Sequence, residues 1–318
     1  MSKKLLVAMQ SGGGWYDNSN NFIGMQTAKE CGLEAIDLNI DHVIKVDDFL
    51  NGKSFPRCDL DEKEFVETYR EVKEASEKFD IAISQAHAPY PIYIENNPKA
   101  TDYLLKLVEK ILAVCEFLGC PELVVHPHNT IYPKKDFNNA NDLEINLDMY
   151  RKLIPSALKH NVKVCLENLL AVDEDGNIIG GICANPDDAC YLIDTLNKEA
   201  GKNIFGLCFD VGHANACGVK IREYINKVGK RITSLHIHDN DGKSDAHLIP
   251  YSQVCDQWGV ELGLDWEAFI LGLKDIGYQG SIAFESFRFT RHLPSECRKD
   301  AIRLIASIGK YFRKRITE

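Results

Sequence analysis

Four short apolar stretches indicate the architecture of this chain: VCLE ending at Glu167, LCFD ending at Asp210, SLHIH containing His236, and IAFE ending at Glu285. Each stretch stays hydrophobic until a carboxylate or an imidazole appears at or near its end. Buried strands that present a polar residue only at their C-terminal end are typical of a parallel α/β barrel, where the strand ends build the functional site. The four strand ends therefore predict one shared site.

The phase of these strands indicates where the four polar side chains point. Successive side chains of a strand alternate between its two faces, so the residue two positions earlier shares the face of the polar residue. These inward neighbours are all small: Cys165, Cys208, Ser234 and Ala283. The opposite face carries large apolar groups such as Phe284. We therefore expect the polar residues to point into the barrel, above small side chains that leave room.

Eight strand-then-helix units can be read along the chain. The predicted strands cover residues 4–9, 33–40, 81–87, 122–127, 162–168, 204–210, 232–238 and 280–286. The predicted helices cover residues 20–31, 61–79, 98–118, 142–160, 186–200, 220–229, 265–276 and 294–314. Eight such units with right-handed crossovers predict a (β/α)8 barrel. No linker-like segment divides residues 1–318, so we expect one domain.

Long connections are predicted only after the C-terminal ends of strands, at residues 41–60, 128–141, 169–185 and 239–264. A barrel enzyme encloses its substrate with such loops, so these segments should wall the site. Five loop aromatics are candidates to line it: Trp15, Tyr90, Tyr93, Trp258 and Phe287.

Composition places limits on partners and location. The chain has 318 residues and a formal net charge of −10, which argues against a nucleic-acid partner because phosphate binding needs a basic surface. The N-terminal stretch MSKKLLVAMQ has too few apolar residues for a signal peptide, and no apolar run is long enough to cross a bilayer. The 11 cysteines lie mostly in apolar segments, as free thiols of a reducing compartment do. We therefore expect a cytoplasmic protein without a membrane partner.

The four strand ends have a definite chemistry. Three carboxylates and one imidazole form an oxygen-rich ligand set suited to one divalent ion, Mn²⁺, Mg²⁺, Co²⁺ or Zn²⁺, and no organic cofactor is indicated. Such an ion polarises a carbonyl and acidifies the adjacent C–H, and Glu167 or Glu285 could then move the proton. One base gives isomerisation and two bases on opposite faces give epimerisation. The residues do not choose between these two outcomes.

The chain resembles the xylose-isomerase-like barrel superfamily, which includes sugar-phosphate isomerases and epimerases, ketose 3-epimerases, inosose-pathway enzymes and type IV apurinic endonucleases. The resemblance covers nearly the whole chain. It rests on LEN at Glu167, FDVGHAN from Asp210, LHIHDNDGKSDAHLIP from Leu235 to Pro250, and FES at Glu285.

This resemblance implies roles for six residues. Four of them would hold the metal: Glu167, Asp210, His236 and Glu285. The two glutamates would also form the acid/base pair of a sugar or sugar-phosphate isomerase or epimerase. His213 and His247 match positions that contact substrate oxygens.

One departure from the superfamily pattern lies just after the most specific motif. Many relatives follow the His-Leu-x-Pro run with Gly-Glu-Gly, whereas here Pro250 leads into YSQVCDQWGVELGLDW. The inserted stretch, residues 251–259, should reshape the rim of the pocket, so substrate identity is not carried over. Three cations past strand ends, Arg288, Arg291 and Lys243, are either a phosphate or carboxylate site or ordinary surface charges.

The endonuclease branch of the superfamily is a competing interpretation. It uses nine ligands around three zinc ions, and this chain would complete that set with His87, His126, Asp245, His213 and His247. The loops at the strand C-termini, however, are neutral or acidic where DNA binding needs basic residues. We expect His87 and His126 to bind sugar or to support the metal ligands, and Asp245 could equally serve the structure of its loop.

Two further interpretations remain open from the sequence. A lyase such as a dehydratase would act through the same enolate with the same residues. A sugar-binding barrel without turnover would be favoured by the loss of one glutamate of the pair, but Glu167 and Glu285 are both present.

Overall fold

A computed structural model describes residues 5–132, 139–253 and 263–318. Eight parallel strands form the central sheet: β1 Val7–Gln10, β2 Ala35–Asn39, β3 Ala82–His87, β4 Glu122–Val124, β5 Lys163–Glu167, β6 Phe205–Asp210, β7 Ile232–His236 and β8 Ile282–Phe284. Neighbours in the chain are neighbours in the sheet, and β8 pairs with β1. Just past β7, Ile237 N donates to Ala283 O at 3.0 Å, which nearly closes the ring. The predicted (β/α)8 barrel is confirmed.

Helices surround the barrel: α1 Asn21–Cys31, α2 Val46–Leu50, α3 Pro56–Asp59, α4 Glu62–Glu67, α5 Arg70–Phe79, α6 Pro98–Leu118, α7 Ala140–His160, α8 Pro186–Ala200, α9 Val211–Ala216, α10 Ile221–Val228, α11 Trp266–Asp275, α12 Phe287–His292 and α13 Ser295–Thr317. Short 3-10 turns lie at Asp41–Val43 and Gly229–Arg231. An antiparallel hairpin, Leu170–Val172 with Ile178–Gly180, stands above β5 in the loop predicted at 169–185.

Local sequence signals explain where the long helices begin and end. The Asn97 side chain accepts a hydrogen bond from Ala100 N at 3.1 Å and so caps α6, with proline at the first helical position. Asn185 caps α8 in the same way, accepting from Asp187 N at 3.0 Å. Capping side chains satisfy backbone N–H groups that have no partner inside the helix. Gly119 ends α6 at φ 71°, a left-handed conformation that glycine adopts with little strain.

Several predicted segments differ from the structure. The strand predicted over residues 122–127 is shorter, since β4 ends at Val124, and the sequence does not predict the short helices α9 and α12. The single helix predicted over residues 61–79 is wrong, because α4 ends at Glu67 and α5 begins at Arg70. The Thr68 hydroxyl donates to Phe65 O at 2.7 Å and accepts from Arg57 Nε at 2.9 Å, bonds that favour a turn over a continuous helix. The predicted loop 41–60 also contains structure, since α2 and α3 lie within it.

The core has two layers, as the strand phase predicts. Large apolar residues such as Phe209 and Phe284 lie between the strands and the helices, where they are fully buried. The barrel interior holds separate small clusters: Ala8, Ala35 and Ala283 in one, and Val124, Cys165 and Cys208 in the other. These small side chains leave the upper part of the barrel to polar groups. The cysteines in the described ranges are free thiols.

No helix within the described ranges combines the length and the apolar character that crossing a bilayer requires.

Candidate active site

Side chains of four adjacent barrel strands converge at the C-terminal end of the barrel. Glu167 ends β5, Asp210 ends β6, His236 ends β7 and Glu285 directly follows β8, and all four are at most 7 % exposed. His236 Nδ1 lies 3.1 Å from Glu167 Oε2 and 3.6 Å from Glu285 Oε2. The structure thus brings together the four residues that the sequence predicts as metal ligands.

Three of these side chains carry buried polar atoms without a hydrogen-bond partner among the described residues: Glu167 Oε2, Asp210 Oδ2 and His236 Nδ1. The glutamate and histidine atoms are close, yet the angle between them makes no hydrogen bond. Buried polar atoms left unpaired cost on the order of 1–3 kcal/mol each, so such atoms in a folded protein usually have a partner. Two oxygens and one nitrogen left unpaired at the ends of neighbouring strands are atoms that suit a divalent cation.

The pKa values of the two glutamates of the centre are shifted in opposite directions. Burial raises the pKa of Glu285 to about 7, against the opposing pull of His236 and His247. Burial acts in the same direction on Glu167, but the imidazoles of His126 and His236 outweigh it and hold the pKa of Glu167 well below its usual range. Glu167 therefore stays ionised near pH 7, while Glu285 has a pKa close to that pH. Two carboxyl groups with separated pKa values are typical of acid/base pairs.

Hydrogen bonds fix the orientation of Glu285. Gln10 at the end of β1 donates from Nε2 to Glu285 Oε1 at 2.6 Å. The Trp15 indole donates to Gln10 O at 3.0 Å and so anchors the segment that carries the amide. With one carboxylate oxygen held by Gln10, the other is directed toward the centre, near His236 and His247.

We expect the affinity for a divalent metal ion to fall as the pH drops below about 7. Burial raises the pKa of Glu285 to about 7, so below that pH its carboxyl group is protonated. As the metal ligand that the sequence predicts, it would have to lose this proton to bind the ion. For each proton displaced, Kd should rise about tenfold per pH unit below the pKa. Calorimetric titration in buffers of different ionisation enthalpy measures both Kd and the protons released. An affinity that is constant across this range would contradict the prediction.

His87 and His126 form one edge of the centre. His87 Nδ1 donates to Ala88 O at 2.8 Å, and its Nε2 lies 2.9 Å from His126 Nε2. His126 Nε2 is in turn 3.1 Å from Glu167 Oε2. Burial and the neighbouring His126 lower the pKa of His87 to about 4, which keeps this imidazole neutral near pH 7. Both rings are thus placed to contact Glu167 or a substrate bound beside it.

The other edge of the centre is formed by His213, His238, Asp245 and His247, whose potential ligand atoms lie within 4.8 Å of one another. His247 Nε2 lies 3.0 Å from Asp245 Oδ2, and His213 Nε2 lies 3.6 Å from Asp245 Oδ1. The pKa of Asp245 lies well below its usual range. Burial alone would raise it, but the His247 hydrogen bond and the charge of His213 outweigh burial. His213 lies in α9, which Asp210 begins by accepting a hydrogen bond from His213 N at 2.7 Å.

His238 has no role in the sequence-based prediction, although it lies fully buried in this second group. Its Nε2 is 3.1 Å from Asp210 Oδ1, its ring stacks on His247 at 4.0 Å, and neither ring nitrogen has a hydrogen-bond partner among the described residues. A Cβ at position 212 would lie 2.0 Å from the His238 ring, so only glycine allows this approach. The strand-phase rule predicts this side chain too, since His238 is two residues past His236.

The rim carries the predicted aromatic and cationic residues in different settings. Phe287 packs on His247 at 4.5 Å, Tyr90 packs on His126 at 4.8 Å, and Tyr93 contacts His128 rather than the centre. The half-exposed Arg288 lies 3.5 Å from Asp245 Oδ2. The structure leaves Arg291 and Lys243 exposed. Trp258 and most of the predicted insertion lie outside the described residues.

Fold and site together define a class: a (β/α)8 barrel with a carboxylate–imidazole centre at the C-terminal ends of its strands. Comparison with known families narrows this class. The profile of the xylose isomerase-like TIM barrel family matches residues 25–308. The chain belongs to that family, and the resemblance predicted from its motifs is confirmed.

Two of the curated proteins that are similar to this chain are inosose isomerases. An inosose isomerase of Bacillus velezensis is 30 % identical over 124 residues, which cover 38 % of this chain and 43 % of that protein. Matched stretches span 43 to 67 % of the length of the curated relatives.

Solved structures of low sequence identity share the fold. The 3-keto-D-glucoside 4-epimerase YcjR from E. coli has a TM-score of 0.67 at 17 % identity, covering 96 % of this chain and 100 % of the other. A D-psicose 3-epimerase in the presence of D-fructose has a TM-score of 0.66 at 12 % identity, covering 97 % and 99 %. The IOLI protein with a bound zinc atom has a TM-score of 0.63 at 17 % identity, covering 98 % of each chain.

Proposed function

We propose that this protein is a divalent-metal-dependent isomerase or epimerase of a sugar or sugar phosphate. The observation that carries this proposal is the pair of buried glutamates flanking His236, one ionised and one with a pKa raised to about 7. Two carboxylates of unequal acidity suit the removal of a proton by one group and its return by the other. The names of the similar proteins, sugar epimerases and an inosose isomerase, support the same reaction class.

The residues of the centre have distinct tasks in this proposal. When bound, the ion supplies Lewis acidity that polarises a substrate carbonyl and acidifies the adjacent C–H. Glu167, Asp210, His236 and Glu285 would hold it. Glu285, oriented by Gln10 through one oxygen, would take up or deliver a proton with the other. His213, His247, His87 and His126 border the same space and would form hydrogen bonds with substrate hydroxyl groups. Neutral His87 donates its Nδ1–H to Ala88 O, so it would accept such a bond through Nε2.

Solvent-deuterium incorporation tests the reaction class. The purified protein, supplied with Mn²⁺, Co²⁺, Mg²⁺ or Zn²⁺ in separate assays, is incubated in D₂O with a panel of ketoses, hydroxyketoses and their phosphates. We expect deuterium to enter one carbon next to the carbonyl of at least one substrate, together with formation of its isomer or epimer. A product lighter than its substrate by the mass of one water molecule would identify a lyase instead. A panel without exchange at any carbon would contradict proton-transfer chemistry.

A second candidate function, a multinuclear zinc phosphodiesterase of the apurinic-endonuclease type, is favoured by one observation. Two further groups are compact enough to hold ions. One is His87 with His126 and Glu167, which it shares with the central ligands, and the other is His213 with His238, Asp245 and His247. The net charge of −10 opposes DNA binding. Metal analysis distinguishes the candidates, since three zinc ions per chain with cleavage of abasic DNA would replace the isomerase proposal.

A further inference from the structure

Behind His236, on the side away from the centre, lies a buried carboxylate from β2. His236 Nε2 is hydrogen-bonded to Asp37 Oδ2 at 3.1 Å, and both residues are fully buried. A carboxylate oxygen only accepts, so the imidazole carries its proton on Nε2. When this ring is neutral, as it must be to bind a metal ion, its lone pair is then on Nδ1, the atom that faces Glu167 and Glu285.

Asp37 is itself held in place by a chain of buried amide and hydroxyl groups. Gln85 in β3 donates from Nε2 to Asp37 Oδ2 at 3.0 Å and to Leu235 O at 3.2 Å. The Ser281 hydroxyl donates to Gln85 Oε1 at 3.2 Å, which fixes the orientation of the amide. Gln85 is fully buried and Ser281 is 8 % exposed. Residues of β2 and β3, together with Ser281 just before β8, therefore contribute to the position of one imidazole.

We propose that Asp37, oriented by Gln85 and Ser281, is a positioning residue that sets the tautomer and the ring angle of His236 for metal binding. This inference rests on the proposed metal centre. A histidine ligand usually donates its second N–H to a carboxylate or carbonyl, which increases its basicity as a ligand, and loss of that partner typically weakens metal binding about 10- to 100-fold. Asp37 itself makes no contact with the ligand side of the ring.

The test uses Co²⁺ as the probe, with titration followed by visible absorption. We expect Asp37→Asn to weaken Co²⁺ binding about 10- to 100-fold and to alter the absorption bands, because the ligand geometry at His236 changes. Nitrogen-15 NMR of the metal-free protein, at a pH where the His236 imidazole is neutral, should show its Nε2–H tautomer in the wild type and a mixture of tautomers in the variant. A residue with only a structural role would change neither the tautomer nor the Co²⁺ spectrum.

Asp142→Asn is the matched control. Asp142 is also a buried carboxylate near an imidazole, with Oδ1 3.4 Å from His128 Nε2, but it lies outside the centre. Its variant should bind Co²⁺ as the wild type does. If Asp37→Asn does not fold, Gln85→Met tests the same inference. It removes the donor that orients Asp37 and should also weaken Co²⁺ binding.

Three outcomes separate the inference from the function on which it rests. Weaker binding in Asp37→Asn, with unchanged binding in Asp142→Asn, supports the positioning role. Equal affinity and equal spectra in wild type and Asp37→Asn overturn the inference alone. Absence of Co²⁺ binding by the folded wild-type protein overturns the metal centre, and the positioning role with it.

Discussion

Replacement of Glu285 by Gln should lower turnover about 10²- to 10⁴-fold, the usual contribution of a general acid or base. The change keeps the shape of the side chain, and its carbonyl oxygen can still accept the Gln10 hydrogen bond that now measures 2.6 Å. It removes the group whose pKa burial raises to about 7 and with it the capacity to exchange a proton near neutral pH. The measurement is kcat for isomer formation and for deuterium exchange, at saturating metal.

Saturating metal is needed because Glu285 is also a proposed ligand. A variant that recovers full kcat when metal is added would show that Glu285 only binds the ion, and full activity at any metal concentration would overturn its assignment. Glu116→Gln is the matched control, since Glu116 also contacts an imidazole, with Oε2 2.6 Å from His160 Nδ1, on the outer helices. We expect that variant to keep wild-type turnover.

Removal of the metal by a chelator should abolish exchange and isomer formation, and should also destabilise the fold. Three buried polar atoms of Glu167, Asp210 and His236 would then have no partner. Binding to the native state alone stabilises by RT ln(1 + [L]/Kd), about 2.7 kcal/mol when the free ion is at 100 times Kd. Urea unfolding with and without Mn²⁺ or Zn²⁺ gives this free energy, and activity should return when the ion is restored.

Two comparisons make this experiment decisive. The variant His236→Ala should unfold at the same urea concentration with and without the ion, because one proposed ligand is missing. Asp142→Asn, altered outside the centre, should show the same metal-dependent stabilisation as the wild type. Full activity of protein freed of metal would contradict the proposed function, whatever its stability.

The ligand geometry was predictable where it depends on strand period. Glu167, Asp210 and His236 end apolar strands and point inward because alternate side chains share a face, a property that any single strand carries. The same rule applies to His238 and to Asp37, which lies in the middle of β2 on the face of Ala35, so these two could have been found by extending it. The starts of α6 and α8 were predictable from their asparagine caps, whereas Thr68 interrupts the helix predicted over 61–79.

Pairing between distant residues could not be predicted from the chain. Gln10 holds Glu285 across 275 positions, and Asp37 holds His236 across 199. These partners meet because the barrel closes its ring, so that the first strands lie beside and across from the last ones. Hydrogen-bond angles decide which oxygen of each carboxylate is held and which faces the centre. The spacing of residues along the chain does not predict these angles.

The amino-acid sequence alone determined the barrel and the four strand-end groups, because apolar periodicity is a local property that each strand expresses independently. Only the tertiary structure decided the tautomer of His236, the separated acidities of Glu167 and Glu285, and the second group around Asp245. Each of these depends on burial and on the distance between groups from different strands. Both quantities arise only when the ring of strands has formed.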